Sequence, residues 1–252
     1  MDNATTFTNT FADTFAGNCT VLIGHAGVGK TNLALNLALA AAGAQRPVLL
    51  VDLDIVNPYF RSSDFAQLIE SHPAGRFIEL IAPTFAGTTL EAPSLPASID
   101  RAFEPGETRV IIDVGGDDDG ATVLGRYRDR LAVRMAQPVA DAAVLYVVNC
   151  YRNLTPDPHA AAAYLHDIQD ASGILATGLV NNSHLQDATD LDTIAAGLDF
   201  AQRTAQLTGL PLVATCVPRQ LLAAVQADAR FADVAQVLLP LDRLVTTVWE
   251  RD

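Results

Sequence analysis

The apolar residues of this chain form short continuous runs, which polar and glycine-rich stretches separate. Residues 21–23, 48–51, 110–112 and 144–148 are such runs, made mostly of Val, Leu and Ile. A strand that is buried on both faces of a parallel sheet has this composition. Weaker runs lie at 77–81, 174–181 and 211–216. The pattern therefore predicts about seven strands, and the last of them is the strand at 211–216.

Helical patterns lie between these predicted strands. We predict helices that begin after Lys30 and near Ser62, a short helix at 98–103, and further helices at about 121–135, 159–171, 190–207, 219–229 and 238–250. Strands that alternate with helices indicate an α/β fold, here a three-layer sandwich with a mainly parallel sheet. Such a sheet binds ligands at the carboxyl ends of its strands. We expect residues 19–252 to form one domain and residues 1–18 to form an N-terminal lead-in.

A glycine-rich turn connects the first predicted strand to the first predicted helix. It fits the pattern G-x-x-x-x-G-K-[ST], in which glycines let the backbone approach a phosphate and main-chain N–H groups point towards it. The lysine of this pattern reaches the β- and γ-phosphates, and the hydroxyl residue binds Mg²⁺. The turn and the residue after it give these predicted nucleotide-binding positions: Gly24, His25, Ala26, Gly27, Val28, Gly29, Lys30, Thr31 and Asn32.

Two carboxylates that follow predicted strands could complete a magnesium site. Asp113 ends the run at 110–112, where an aspartate of this kind of site holds the metal directly or through water. Asp54 follows the run at 48–51 and could orient the attacking water or hold a metal-bound one. We therefore predict Thr31, Asp54 and Asp113 as metal ligands and Lys30 and Asp54 as catalytic residues. For Asp52 we favour a capping role in its loop.

Charge and cysteine usage narrow the class of protein. The 252 residues carry a formal net charge of −13, which disfavours direct binding to nucleic acid or to an anionic membrane. The arginine cluster at 126–134 lies close to three consecutive aspartates, so we interpret it as a solvated or partner-facing surface. Each cysteine lies next to a predicted strand, which favours buried thiols over metal ligands or disulfides. No apolar run reaches the roughly 18 residues of a membrane span, so we expect a cytoplasmic protein.

Taken together, these segments resemble the ParA/MinD family of P-loop ATPases, part of a larger group that includes cobyrinic acid synthase-like proteins. The resemblance is carried by residues 24–31, 49–54 and 110–116. It implies a P-loop NTPase fold over nearly the whole chain, with ATP and Mg²⁺ as ligands and with Asp54 and Asp113 in the two switch segments. It also implies that Asn181 lies where the family reads adenine, with Pro218 and Arg219 in the loop beside the base.

The sequence departs from this family within the phosphate-binding loop. The family has a signature lysine at the position of His25, and that lysine reaches the partner's phosphates in a nucleotide-sandwich dimer. An unperturbed histidine is mostly neutral at pH 7, so His25 replaces this cation poorly. Arg61, in the first switch loop, is our candidate for a replacement charge. Asn32 stands where the family usually has a second hydroxyl residue.

The choice of base can be weighed from two strand ends. GTPases of this general fold use Asn-Lys-x-Asp, in which the aspartate accepts hydrogen bonds from guanine. Residues 149–152 and 181–184 both lack that aspartate, which favours ATP. We therefore predict a Mg²⁺-dependent ATP-binding switch protein with slow ATP hydrolysis, able to form a nucleotide-dependent homodimer. An unidentified protein partner would use the aspartates at 117–119 and the loop at 82–96.

Two other functions remain open at this point. One is an ATP-dependent metabolic ligase or transferase, of the dethiobiotin synthetase or cobyrinic acid synthase type. That enzyme needs a second substrate pocket, for which the proline-rich loop at 82–96 is the only visible material. The other is a nucleotide-binding module that barely hydrolyses its ligand, which His25 favours.

Overall fold

The computed structural model of the protein describes residues 17–54, 62–83, 96–106, 108–137 and 141–245. Within these ranges eight strands form one sheet, in the order β3-β2-β4-β1-β5-β6-β7-β8, and every neighbouring pair is parallel. The strands are β1 (Cys19–Ile23), β2 (Val48–Leu53), β3 (Ile78–Ile81), β4 (Arg109–Val114), β5 (Ala142–Val148), β6 (Gly178–Asn181), β7 (Leu212–Pro218) and β8 (Leu238–Leu241). The predicted α/β class is confirmed, with one strand more than expected.

Seven α-helices connect these strands in the described part of the chain, and they cover both faces of the sheet. They are α1 (Lys30–Ala41), α2 (Ser62–Ser71), α3 (Asp118–Gly125), α4 (Arg128–Met135), α5 (Pro158–Ser172), α6 (Leu191–Thr208) and α7 (Leu222–Ala227). Five 3-10 segments add to them: Gly75–Phe77, Ala97–Phe103, Gln186–Ala188, Arg219–Leu221 and Ala229–Val237. None of the described helices is long and apolar enough to cross a bilayer.

The central strand β1 shows why the apolar runs are continuous. Val21 and Ile23 pack into the core on one face of the sheet, and Leu22 packs into the core on the other. All five residues of the strand are buried. A two-layered core thus requires apolar side chains at consecutive positions, as predicted.

The sheet order also fixes where a ligand can bind. From β1 the chain runs to β2 and β3 at one edge, returns to β4, and then crosses over β1 to β5. The direction of travel across the sheet therefore reverses at β1, which pairs with both β4 and β5. In open parallel sheets, ligands bind in the crevice at the carboxyl ends of the strands at such a point.

Two predicted helices need correction. The helix predicted at 121–135 is two helices, α3 and α4, separated at residues 126–127. Asp117 begins α3, where its carboxylate accepts from the N–H of Gly120 at 2.8 Å, and Asp118 and Asp119 lie in the first turn. Acidic residues at these positions stabilise a helix through capping and the helix dipole. The predicted helix at 238–250 is wrong over its first four residues, which form β8.

Strand β8 was not predicted because its composition is not typical of a strand. It reads Leu-Leu-Pro-Leu and pairs with β7 alone, at the edge of the sheet. Proline is tolerated on an edge strand because one side of that strand has no ladder partner to receive a hydrogen bond. Several expectations fall on residues outside the described ranges: the lead-in at 1–16, Arg61, most of the loop at 82–96 and the chain after 245.

Arg134 is not part of a solvated surface, contrary to our interpretation of the arginine cluster. Its side chain is 0% exposed and forms an ion pair with Asp141 at 2.7 Å. A second nitrogen donates to the carbonyls of Ala102 and Glu104, at 3.0 and 3.1 Å. The guanidinium therefore joins α4, the start of β5 and the Ala97–Phe103 segment from inside the protein.

This arrangement predicts that Arg134→Ala lowers the free energy of unfolding by about 3–5 kcal/mol, because removal of one member of a buried ion pair leaves the other uncompensated. The matched control is Arg130→Ala on the same helix, which removes an exposed pair with Asp100. That change is expected to cost less than about 1 kcal/mol. Urea denaturation measures both, and equal losses would contradict the structural role of Arg134.

Candidate functional site

The phosphate-binding loop follows β1 and leads into α1, where the sheet order reverses. Gly24 has φ +141° and lies against the carbonyl of Val147, which a Cβ atom would overlap. Gly29 has φ +89°, and a Cβ atom there would overlap the amide nitrogen of Asn182. Only glycine adopts these conformations without a steric penalty. The two outer glycines of the motif are therefore required by the neighbouring strands as well as by a ligand.

Lys30 lies within the loop. Its side chain is 6% exposed, and its ammonium group donates to the carbonyls of Gly24 at 2.7 Å and His25 at 3.0 Å. Burial lowers the pKa of Lys30, and the nearby charge of Asp113 acts in the opposite direction. Two loop carbonyls thus hold the ammonium group at the loop, where this motif places the lysine that reaches the phosphates.

Thr31 and Asp113 meet beside this loop. The Thr31 hydroxyl donates to Oδ2 of Asp113 at 2.6 Å. Burial raises the pKa of Asp113 to about 6, although Lys30 and the Thr31 hydrogen bond both lower it. Oδ1 of Asp113 is buried and has no hydrogen-bond partner among the described residues. A buried carboxylate oxygen without a partner is costly and is explained by a bound ligand or ion.

Asp52 and Asp54 lie next to Asp113 at the end of β2. Asp52 pairs with Asp113 in the sheet register, and its Oδ1 accepts from the N–H of Asp54 at 2.9 Å. The predicted capping role of Asp52 is thereby confirmed. Burial, and then the charge of Asp113, raise the pKa of Asp52 to about 8. Asp54 lines the same cavity as Lys30 and Asp113.

These oxygen atoms suit Mg²⁺ only in the company of a ligand. Within the described residues, no group of three or more His, Cys, Asp or Glu side chains could hold a metal ion. Mg²⁺ is usually held by one or two carboxylates together with substrate phosphates and water. The Thr31 hydroxyl and the unpartnered oxygen of Asp113 fit that mode of binding, so Mg²⁺ would bind here with a nucleotide.

His25 has a structural environment that a lysine would not share. Its ring is 7% exposed and lies 5.2 Å from the ring of Tyr164, centroid to centroid. Burial lowers the pKa of His25, so the ring is neutral at physiological pH. The Tyr164 hydroxyl donates at 2.8 Å to the carbonyl of Gly116, which also accepts from the N–H of Ala26 at 3.2 Å. His25 therefore packs the loop against β4 and α5.

A cavity of about 340 Å³ opens over the loop. Part of its lining consists of predicted site residues: Ala26, Gly27, Gly29, Lys30, Thr31, Asn32, Asp54, Asp113 and Pro218. The amide of Asn32 is already engaged, since its oxygen accepts from the N–H of Leu244 at 2.8 Å. Asn32 thus holds the segment after β8, which forms the opposite wall through Asp242 and Arg243.

The structure places two predicted base-binding residues outside this lining. Asn181 is 1% exposed, and its side-chain oxygen accepts from the N–H of Ser183 at 3.1 Å. Arg219 forms an exposed ion pair with Asp242 at 2.8 Å. Each of these side chains thus has a contact within the protein. Of the three predicted base-binding residues, Pro218 is the one that lines the cavity.

Among the cavity-lining residues that the sequence pattern did not identify, three lie against or near the phosphate-binding loop. Asn182 donates to the carbonyl of Val28 at 2.7 Å and lies against Gly29. His184 also lies beside Gly29, and Arg152 lies beside Gly27. Both strand ends that supply them had been considered only for a guanine-specific aspartate. Arg152 could have been identified from its position, because it is a cation that follows β5, and β5 is the strand next to β1, which leads into the loop.

The phosphate-binding loop after the central strand of a parallel sheet defines a P-loop nucleotide-binding fold. The family described as the CobQ/CobB/MinD/ParA nucleotide-binding domain matches residues 19–219, and the chain belongs to this family. No curated protein matches the sequence.

Several solved structures resemble the chain at low identity. FtsY from Mycoplasma mycoides is 18% identical with a TM-score of 0.47, over 83% of this chain and 66% of that one. The signal recognition particle receptor FtsY from Elizabethkingia anophelis, in complex with GDP, is 18% identical with a TM-score of 0.46, over 83% and 63%. FlhF complexed with GTP and Mg²⁺ is 12% identical with a TM-score of 0.41, over 81% and 70%. The chain thus spans slightly less than two thirds of the FtsY structures.

The environment of His184 predicts a pH-dependent stability. Burial, followed by the charge of Arg152, lowers the pKa of His184 to about 4. Between pH 6.5 and 4 the unfolded chain therefore binds more protons at this residue than the folded chain, so the stability that the neutral ring contributes is lost as the pH falls. From pH 7 to 5, the free energy of unfolding of the wild type should fall by up to about 2 kcal/mol more than that of His184→Gln.

Urea denaturation of both proteins across this pH range measures the difference. The buried carboxylates titrate in both proteins, so their contribution cancels in the comparison. Parallel stability profiles would show that His184 is protonated as easily in the folded protein as in the unfolded chain.

Proposed function

We propose that the protein is a Mg²⁺-dependent ATPase of the ParA/MinD type, which binds ATP in this cavity, hydrolyses it slowly and acts as a switch. The observation that carries the proposal is the juxtaposition of two features at one loop. The ammonium group of Lys30 lies among loop carbonyls, and the Thr31–Asp113 pair beside it has an unpartnered oxygen. A cation held at the loop serves phosphate binding, and a carboxylate oxygen beside a hydroxyl serves a phosphate-bound metal.

The reaction would be the attack of water on the γ-phosphorus, with release of ADP and phosphate. Lys30 and the N–H groups of the loop would stabilise the charge that develops on the γ-phosphate oxygens. Asp54 would orient the attacking water, since it lines the cavity next to Asp113. Thr31 and Asp113 would hold Mg²⁺, which when bound neutralises phosphate charge.

The adenine base would lie towards Pro218 and the end of β6. Asn182 lines the cavity there and Asn181 does not, so we propose that Asn182 contacts the base through its amide oxygen, since its amide nitrogen is engaged with the carbonyl of Val28. The missing guanine-specific aspartate at 149–152 and 181–184 supports ATP over GTP. If GTP displaced bound ATP as effectively as added ATP does, this choice of base would be wrong, and the proposed phosphate site would be unaffected.

The environment of His25 bears on hydrolysis and on dimerisation. A neutral ring packed on Tyr164 cannot supply a cation to a second copy of the chain. We propose that any nucleotide-dependent homodimer does not accelerate hydrolysis through this residue. The same observation favours the second candidate function, a cytoplasmic nucleotide-binding module with negligible turnover, whose protein partner would read the bound state.

Lys30→Ala is expected to weaken ATP binding at least about a hundredfold, because it removes a charge-assisted contact from a buried phosphate site. Thr31→Ala should instead remove the Mg²⁺ dependence of binding. Arg128→Ala, an exposed cation on α4, is the matched control and should bind as the wild type does. Isothermal titration calorimetry measures all four proteins.

These titrations, together with an assay of phosphate release, separate the candidate functions. Binding of ATP by the wild type with no phosphate release supports the non-hydrolysing module. Phosphate release that appears only with an added carboxylic acid or amine supports the ligase or transferase. If the wild type binds no nucleotide, the proposal of a nucleotide site is wrong.

Turnover per subunit should not change with protein concentration, because His25 supplies no charge across a dimer interface. Phosphate release at increasing protein concentrations, with sedimentation in ATP, ADP and no nucleotide, measures this. A dimer that forms only with ATP and raises turnover per subunit would contradict the prediction.

A further inference from the structure

Arg152 is a cation over the phosphate-binding loop that the proposed reaction does not yet use. It lies in the turn after β5, where its N–H donates to the carbonyl of Asn149 and its carbonyl accepts from Thr155, both at 3.2 Å. Thr155 is buried. These two hydrogen bonds fix the backbone of the turn. The side chain of Arg152 then lies beside Gly27, where a Cβ atom would be 3.8 Å from Nε and 3.9 Å from Cδ.

The guanidinium is incompletely satisfied by the protein. Its Nε atom is buried and has no hydrogen-bond partner within the described residues. A buried donor on a charged group costs free energy unless an acceptor meets it. Lys30 shares the cavity but is a cation, so it cannot accept. The Nε atom therefore calls for an acceptor that the described residues do not supply.

The other arginines near the cavity form ion pairs with aspartates of the protein. Arg243 is paired with Asp187 at 2.6 Å, and Arg219 with Asp242 at 2.8 Å, both at the far wall. The carboxylates Asp52, Asp54 and Asp113 line the same cavity. Arg152 itself lies beside Gly27 of the loop, and its charge acts on the ring of His184. The Nδ1 atom of His184 accepts from the N–H of Gln186 at 3.2 Å, so in the neutral ring Nε2 carries the proton and offers Arg152 no acceptor.

We infer that Arg152 contacts the phosphate chain of the bound nucleotide, from the side of the loop opposite to Thr31 and from the same subunit. This inference rests on the proposed nucleotide site. It gives that site a second phosphate-binding cation besides Lys30. The planar guanidinium presents several donors to phosphate oxygens at once, which a lysine cannot do in the same geometry. Gly27, which belongs to the loop, lies within ordinary contact distance of the Arg152 side chain, so a phosphate bound by the loop is within reach of the guanidinium.

The test compares ligands that differ only in phosphate. Wild type, Arg152→Ala, Arg152→Lys and the control Arg203→Ala are titrated with ATP, ADP, adenosine and inorganic tripolyphosphate. Arg203 lies on α6 in an exposed pair with Asp199, so its loss should change nothing. Arg152→Ala should weaken ATP, ADP and tripolyphosphate binding by about tenfold to a hundredfold, and leave adenosine binding unchanged. Arg152→Lys should recover only part of the loss.

A purely structural role would give a different result. If Arg152 only held the cavity in shape, Arg152→Ala would weaken adenosine in the same proportion as ATP, and that outcome would overturn the inference. Unchanged ATP binding by Arg152→Ala would also overturn it, and would leave the nucleotide site standing. Absence of binding of nucleotide and tripolyphosphate by the wild type would instead reject the proposed function together with the inference.

Discussion

The structure of the site depends on the close packing of the loop backbone between strand ends from both sides of β1. Gly24 lies against the carbonyl of Val147 at the end of β5, and Gly29 lies against Asn182 after β6. On the other side, the N–H of Ala26 donates to the carbonyl of Gly116 after β4. Because β4 and β5 flank β1 where the sheet order reverses, and β6 follows β5, the topology of the sheet sets the conformation of the loop. Any phosphate bound there would inherit that geometry.

Much of this arrangement could be predicted from the sequence. Continuous apolar runs identified the buried strands, and the glycine spacing identified the loop. Asp54 and Asp113 were found because they follow such runs directly, and carboxyl ends of parallel strands meet at one edge. The structure brings both to the cavity with Lys30 and Thr31. The positions of these residues in the fold could be predicted because they needed only local patterns and one rule of parallel sheets, and their roles in binding and catalysis stay predictions.

The remaining features could not be predicted because they depend on side-chain environment or on position in the sheet. Asn181 and Asn182 are neighbours, and the pattern does not say which of the two faces the cavity. Arg134 was interpreted as a surface arginine. It is buried because it pairs with Asp141 and donates to the Ala97–Phe103 segment, which is about 30 residues away along the chain. Strand β8 contains proline and lies at the edge, so its composition resembles a loop or helix end more than a strand.

The acidic character of the chain does not oppose binding of an anionic nucleotide at this site. Exposed charges more than about 8–10 Å away are largely screened at physiological ionic strength, so most of the net charge of −13 has little effect inside the cavity. Within the cavity, burial raises the pKa of Asp52 to about 8, which reduces the negative charge that this residue holds near neutral pH. The buried cation of Lys30 lies at the loop where the phosphate is proposed to bind. The local arrangement therefore determines the affinity, and the overall charge mainly disfavours polyanionic surfaces such as nucleic acid.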